Sequence, residues 1–156
     1  MHAPSHAFAR PASGFTLVEL LTAVALVGVL AAIALPAYNG YRERVRTRQC
    51  AEDVATMAAA IQRYADEHRD YPDSLSDVQF QARTDPWGQP YRYYNIAANG
   101  KGGARKDKAL NPLNTDFDLY SVGPDGQTKS QISNKDSLDD VIRASNGAFI
   151  GTAADF

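Results

Sequence analysis

Gly14-Phe15-Thr16-Leu17-Val18-Glu19 opens a run that continues without another charge through Leu35 and into Pro36. At 1.5 Å per residue, a helix from Phe15 to Leu35 reaches across roughly 30 Å of hydrocarbon. The exception in the run is Glu19 near its start. A carboxylate placed in lipid costs on the order of 3 kcal/mol unless something pairs with it. Cutting the chain after Gly14 would create such a partner, because the freed α-amino group of Phe15 would lie about one helical turn away, on the same or a neighbouring subunit.

A short polar leader, Gly14, Phe15, Thr16-Leu17, Glu19, and an unbroken apolar helix with Pro36 together resemble the class III signal of type IV pilins and type II secretion pseudopilins. The resemblance implies that a prepilin peptidase cleaves between Gly14 and Phe15 and N-methylates Phe15. It also implies that Glu19 guides subunit addition to a growing filament. An ordinary signal anchor with one stray Glu is the plainer reading. A conventional secretory signal fits less well, since its cut follows the apolar region.

Residues 1–14 carry Pro4, Pro11, Ser5 and Ser13 with Arg10 as the fixed charge, and read as a removable leader. Residues 15–36 form the membrane or filament-core helix. Gly28 and Pro36 weaken it, and a kink is expected near Ile33–Pro36. Arg42, Arg44, Arg46 and Arg48 crowd the far side of the span, which the positive-inside rule would place in the cytoplasm. The cleavage motif places the same side outside.

The helix continues as an amphipathic second half over residues 37–70. Cys50, Val54, Met57, Ile61, Tyr64 and His68 recur at the helical spacing, and the intervening alanines favour helix. Cys50 and His68 do not form a nucleophile–base pair within one subunit, because eighteen helical residues separate them by roughly 27 Å. Asp70-Tyr71-Pro72 ends the helix.

With 156 residues, one small head remains after the leader and the span. Its formal charge of −2 carries no global basic signature for nucleic acid. Cys50 is the only cysteine, so the head holds no internal disulfide. In residues 71–156, Asp73-Ser74-Leu75 suggests a helical turn. Asp85-Pro86-Trp87-Gly88-Gln89-Pro90-Tyr91 reads as a turn cluster leading into a strand over Tyr91–Ile96. The same segment resembles the Asp-Pro-Trp-Gly-x-Pro-Tyr stretch of the major pseudopilins. Residues 97–115 read as a long exposed loop; its Lys101, Arg105, Lys106 and Lys108 lie near three tyrosines, the composition of a single-strand binder or of a solvated loop. Phe117, Leu119 and Ser121 alternate with Asp118, Tyr120 and Val122 as a strand with two unlike faces, followed by the turn Gly123-Pro124-Asp125-Gly126.

Beyond Asp125 the chain is polar and reads as irregular loop. The pseudopilin resemblance implies a Ca2+ site held by the Val122 carbonyl, Asp125, Asp139 and Asp140. The longer connecting loop and the tail from Arg143 depart from that pattern.

The fold expected is α+β and pilin-like: a long kinked N-terminal helix packed on a small antiparallel sheet, with an irregular C-terminal loop. The implied role is mechanical, as the homo-oligomeric subunit of a helical filament. Its implied partners are a prepilin peptidase, an inner-membrane assembly platform and minor pilins or pseudopilins. The subunit would sit in the inner membrane with its head in the periplasm before assembly. A type II secretion pseudopilus is the leading reading and a surface type IV pilus the second. A membrane-anchored enzyme is disfavoured, because His2 and His6 both lie in the leader.

Overall fold

The computed structural model describes residues 14–156. The leader reading therefore falls almost entirely outside the described residues. Helix α1 runs Leu17–His68 and is assigned without a break through Pro36. Two compact units divide the chain, one ending at Tyr41 and the other beginning at Arg42. In the first, α1 is long and apolar enough to cross a membrane, and none of its apolar window is buried within the chain.

The second unit is the head. Its sheet is a meander of β1 (Arg92–Asn95), β2 (Phe117–Ser121), β3 (Val141–Ala144) and β4 (Phe149–Thr152), each strand antiparallel to the next. Tyr93 faces Leu119, Tyr120 faces Ile142, and Ile142 faces Gly151. Cys50, Val54, Met57 and Ile61 are wholly buried against Tyr91, Phe117, Leu119 and Val141. The helical spacing read from sequence is therefore the buried stripe as far as Ile61. Further on, Tyr64 is half-buried and His68 exposed, the two rings stacking at 4.0 Å between centroids. Burial of an apolar side chain contributes about 1.5–3 kcal/mol, so these four helical residues alone are a major part of what holds the helix to the sheet.

Three expectations need correction. The tail is not irregular, since Val141–Ala144 and Phe149–Thr152 form a hairpin. Residues 97–115 are not simply an exposed loop. The segment begins within a single helical turn, α2 (Ile96–Asn99), and buries Ala104, Arg105, Leu113 and Asn114. Strand β2 has the two unlike faces read from the sequence, Phe117 and Leu119 lying in the core under the helix and Asp118 and Tyr120 on the other side, where Asp118 is buried as well. No helix forms at Asp73-Ser74-Leu75, where Asp77 instead accepts a bond from the Ser74 amide in a turn.

The buried charges explain these departures. Arg143 on β3 grips Asp116 with both terminal nitrogens, at 2.9 and 2.6 Å, and lies 3.9 Å above the Phe117 ring. Burial alone would raise the Asp116 carboxyl, but the Arg143 bonds and charge outweigh it and hold Asp116 below its ordinary value. Asp118 accepts from the Arg105 amide at 2.6 Å and from Asn114 at 2.9 Å. Burial dominates there and pushes its carboxyl upward.

Candidate functional sites along the chain

At the helix start, Thr16 and Glu19 form a reciprocal cap. The Glu19 amide donates to Thr16 Oγ1 at 3.2 Å, while the Thr16 amide and hydroxyl donate to Glu19 Oε2 at 2.9 and 2.8 Å. This is a capping box, in which a threonine and a glutamate three residues later satisfy amides that the first turn leaves without helical partners. This cap is not among the expectations drawn from the sequence, although the spacing Thr16-x-x-Glu19 is its local signal. In the uncut chain Glu19 is thus held by Thr16, and pairing with a Phe15 amine is a property that only a processed chain can have. Phe15 itself is 89% exposed.

The tryptophan turn is organised by Asp85. One carboxylate oxygen, Oδ1, accepts from the Trp87 and Gln89 amides at 3.0 and 2.8 Å. Its second oxygen accepts from Ser121 Oγ at 2.5 Å, tying the turn to the end of β2. Gly88 takes φ 91°, a conformation that favours glycine. Trp87 is half-buried against the core, and its indole donates to Glu43 Oε2 at 2.9 Å. That bond holds the Glu43 carboxyl below its usual value. The segment therefore anchors β2 and the helix together, a stronger role than plugging one end of the core.

Asp85→Ala removes three accepted hydrogen bonds from a buried site. A loss of about 3 kcal/mol in unfolding free energy is expected, with the urea m-value unchanged. A change below about 0.5 kcal/mol in the same urea titration would show that the turn holds without its carboxylate.

Cys50 is fully buried, lies 3.7 Å from the Tyr91 hydroxyl, and has its thiol pushed up to about 11 by burial. It is an inert core side chain and no nucleophile. Of the basic loop residues and tyrosines, Arg105 and Tyr91 are buried and not available to stack on a base, while Lys101 and Lys108 are exposed and Tyr93 and Tyr94 half-buried.

The four residues of the implied calcium site are divided by their partners. Gly123 takes φ 68°, and a Cβ there would lie 2.6 Å from the Asp139 carbonyl oxygen, so the turn and the Asp139 backbone touch. Asp139 Oδ2 accepts from the Asp125 amide at 3.3 Å, and Asp125 Oδ1 from the Gln127 amide at 2.8 Å. Val122 is buried beside them in sequence. Asp140 is turned onto Arg105: its Oδ2 accepts from Arg105 Nη2 at 2.6 Å and from Thr128 Oγ1 at 2.7 Å. Burial pushes the Asp140 carboxyl up, with Thr128 and Arg105 opposing it.

Asp140 Oδ1 is buried without a partner. Asp140 thus has one oxygen left for a cation, where Ca2+ takes six to eight from its whole surroundings. Among the described residues, no three His, Cys, Asp or Glu side chains converge to hold a metal. A cation at Asp140 would also face the guanidinium already there. The residues present do not fit a calcium site in this arrangement. Arg105 reads from sequence only as one basic residue of an exposed loop, and Thr128 not at all, because Arg105 stands among lysines that are exposed or half-buried and nothing local marks it as buried.

Residues 9–35 match the prokaryotic N-terminal methylation motif. The type II secretion system core protein G of Pseudomonas aeruginosa is 27% identical over 139 residues, covering 76% of this chain and 87% of that protein. The Escherichia coli K12 protein of the same name is 26% identical over 144 residues, covering 78% and 89%. A fimbrial protein of Neisseria meningitidis is 34% identical over 76 residues, covering 49% of this chain and 45% of its own length. No solved structure gives a significant match. The chain carries the methylation motif and is homologous to type II secretion core protein G and to type IV pilins. Alignment over 76% of the chain extends beyond the 52 residues of α1 and into the head.

Proposed function

We propose that this chain is the repeating subunit of a helical filament of the type II secretion pseudopilus kind, assembled from the inner membrane with its head in the periplasm. The observation that carries the reading is the first half of α1. It presents Leu20, Leu21, Val24, Val27, Leu30 and Ile33 at 59–69% exposure, within the stretch that matches the methylation motif. Moving each such side chain from lipid to water would cost about 2 kcal/mol, so the helix can leave the membrane only into another apolar environment. A bundle of the same helix from other copies supplies one. Neighbouring helices are no more apolar than lipid tails, so bundling has little hydrophobic drive of its own. The carboxylate of Glu19 then becomes the group that favours filament over membrane, by pairing with the Phe15 amine of a processed subunit.

Core protein G relatives aligned along most of their length support the secretion reading. The fimbrial relatives favour a surface pilus as the second one, over a shorter span. Expression together with a prepilin peptidase and an assembly platform, followed by electron microscopy and crosslinking, tests the proposal. Filaments confined to the periplasm are the expected result. Filaments sheared from the cell surface would favour the pilus, and a processed subunit that stays monomeric in the membrane would overturn both.

A further inference from the structure

We propose that Arg105 is a built-in cation that locks the head's polar loops, so that the fold is independent of calcium. The guanidinium reaches three separate segments at once. Nη2 donates to Asp140 Oδ2 at 2.6 Å, just ahead of β3. Nη1 donates to Thr128 Oγ1 at 2.5 Å, in the loop after the Gly123–Gly126 turn. The guanidinium plane sits over the Tyr120 ring of β2, 4.2 Å from its centroid. Side-chain exposure is 4% for Arg105 and 0% for Asp140, so water does not screen the pair.

The backbone beside Arg105 is laced to the same loop. Lys106 donates its amide to the Ser130 carbonyl at 2.8 Å, and the Lys106 carbonyl accepts from the Ile132 amide at 3.0 Å. The Arg105 amide itself donates to Asp118 Oδ2 at 2.6 Å, and its carbonyl accepts from the Leu113 amide at 2.9 Å. Segment 104–113 is thereby a strap across residues 128–132, with its one buried charge at the crossing. A divalent cation in such a place would balance acidic groups and crosslink loops that bury little apolar surface. Arginine achieves both here with a planar fork that stays charged at any physiological pH. The long connection of residues 97–115 gains a purpose, since it is what delivers the guanidinium.

The test uses the full-length chain in detergent, with unfolding followed by circular dichroism in chelator, in millimolar Ca2+ and in millimolar Mg2+. The three melting curves of the unaltered protein should coincide. Arg105→Lys keeps a charge but loses the fork, and Tm should fall by about 5–10 °C with no recovery on adding Ca2+. Asp140→Asn should cost much less in the Arg105→Lys background than in the unaltered protein, because the two side chains act as one unit. A Tm that drops in chelator and is restored by Ca2+ would overturn the proposal, as would strictly additive costs for the two substitutions. Should either variant fail to fold, the chelator melt of the unaltered protein decides by itself.

Discussion

Glu19→Val is expected to insert into the membrane normally while filament yield falls by at least tenfold. A carboxylate carried into an apolar bundle costs on the order of 3 kcal/mol without a partner, so in the proposed filament its pairing with a neighbour's amine would favour assembled over dispersed subunits. Losing half of that amount is already about a tenfold change in an equilibrium. The capping box complicates the substitution, because Val also strips Thr16 of its acceptor and lets the first turn of α1 fray, a cost of about 1 kcal/mol. Glu19→Gln separates the two effects. Its amide oxygen can still accept from Thr16, but it carries no charge. If the ion pair matters, both variants insert and both fail to polymerise, as judged by membrane fractionation and electron microscopy. Normal filaments from Glu19→Gln would reduce the residue to a helix cap, and normal filaments from Glu19→Val would leave it no role in assembly.

Gly14→Leu is expected to abolish processing altogether, leaving the leader on every molecule. A Cβ at Gly14 meets nothing within 4 Å among the described residues, so the space around it there is open. The effect expected is on recognition by the enzyme that cuts. Intact-mass measurement of membrane-extracted protein should give a mature chain beginning at N-methylated Phe15 for the unaltered sequence and the full-length mass for Gly14→Leu. A mature chain that keeps residues 1–14, or one cut after the apolar run, removes the basis for a filament subunit. The two predictions are independent: Glu19→Val should be cleaved normally, while Gly14→Leu should retain its capped helix.

Helix and sheet differed in how plainly they could be read. The spacing of Cys50, Val54, Met57 and Ile61 carried the packing face of α1 because burial there is apolar and periodic. Strands β1 and β2 were visible through Tyr93, Phe117 and Leu119. The hairpin of β3 and β4 was hidden by its own chemistry. Val141-Ile142-Arg143-Ala144 holds only two large aliphatic residues, and its Arg143 is a charge that the core accepts because Asp116, twenty-seven positions earlier, lies within reach. The turn that closes the hairpin places Ser145 and Asn146 at φ 54° and 55°, where sequence alone would look for glycine. The acidic positions told a similar story. Asp139 and Asp140 look alike in sequence, yet one contacts a surface turn and the other is sealed under Arg105 from a segment thirty-five positions away. Pairings at that separation leave no local signal.

The meander order β1-β2-β3-β4 also bears on how the head folds. Every strand pairs with its neighbour in the chain, so no pairing waits for a distant segment to thread into place. Loop closure favours short connections, and the four-residue link Ser145–Ala148 is far shorter than the connections flanking β2. The β3–β4 hairpin is therefore the cheapest piece of sheet to form, and the sheet would grow from it toward β1. Helix α1, whose contacts are local, needs no sheet to begin forming. Secondary structure thus starts at both ends of the head and closes inward, with the strap that carries Arg105 among the last segments to settle.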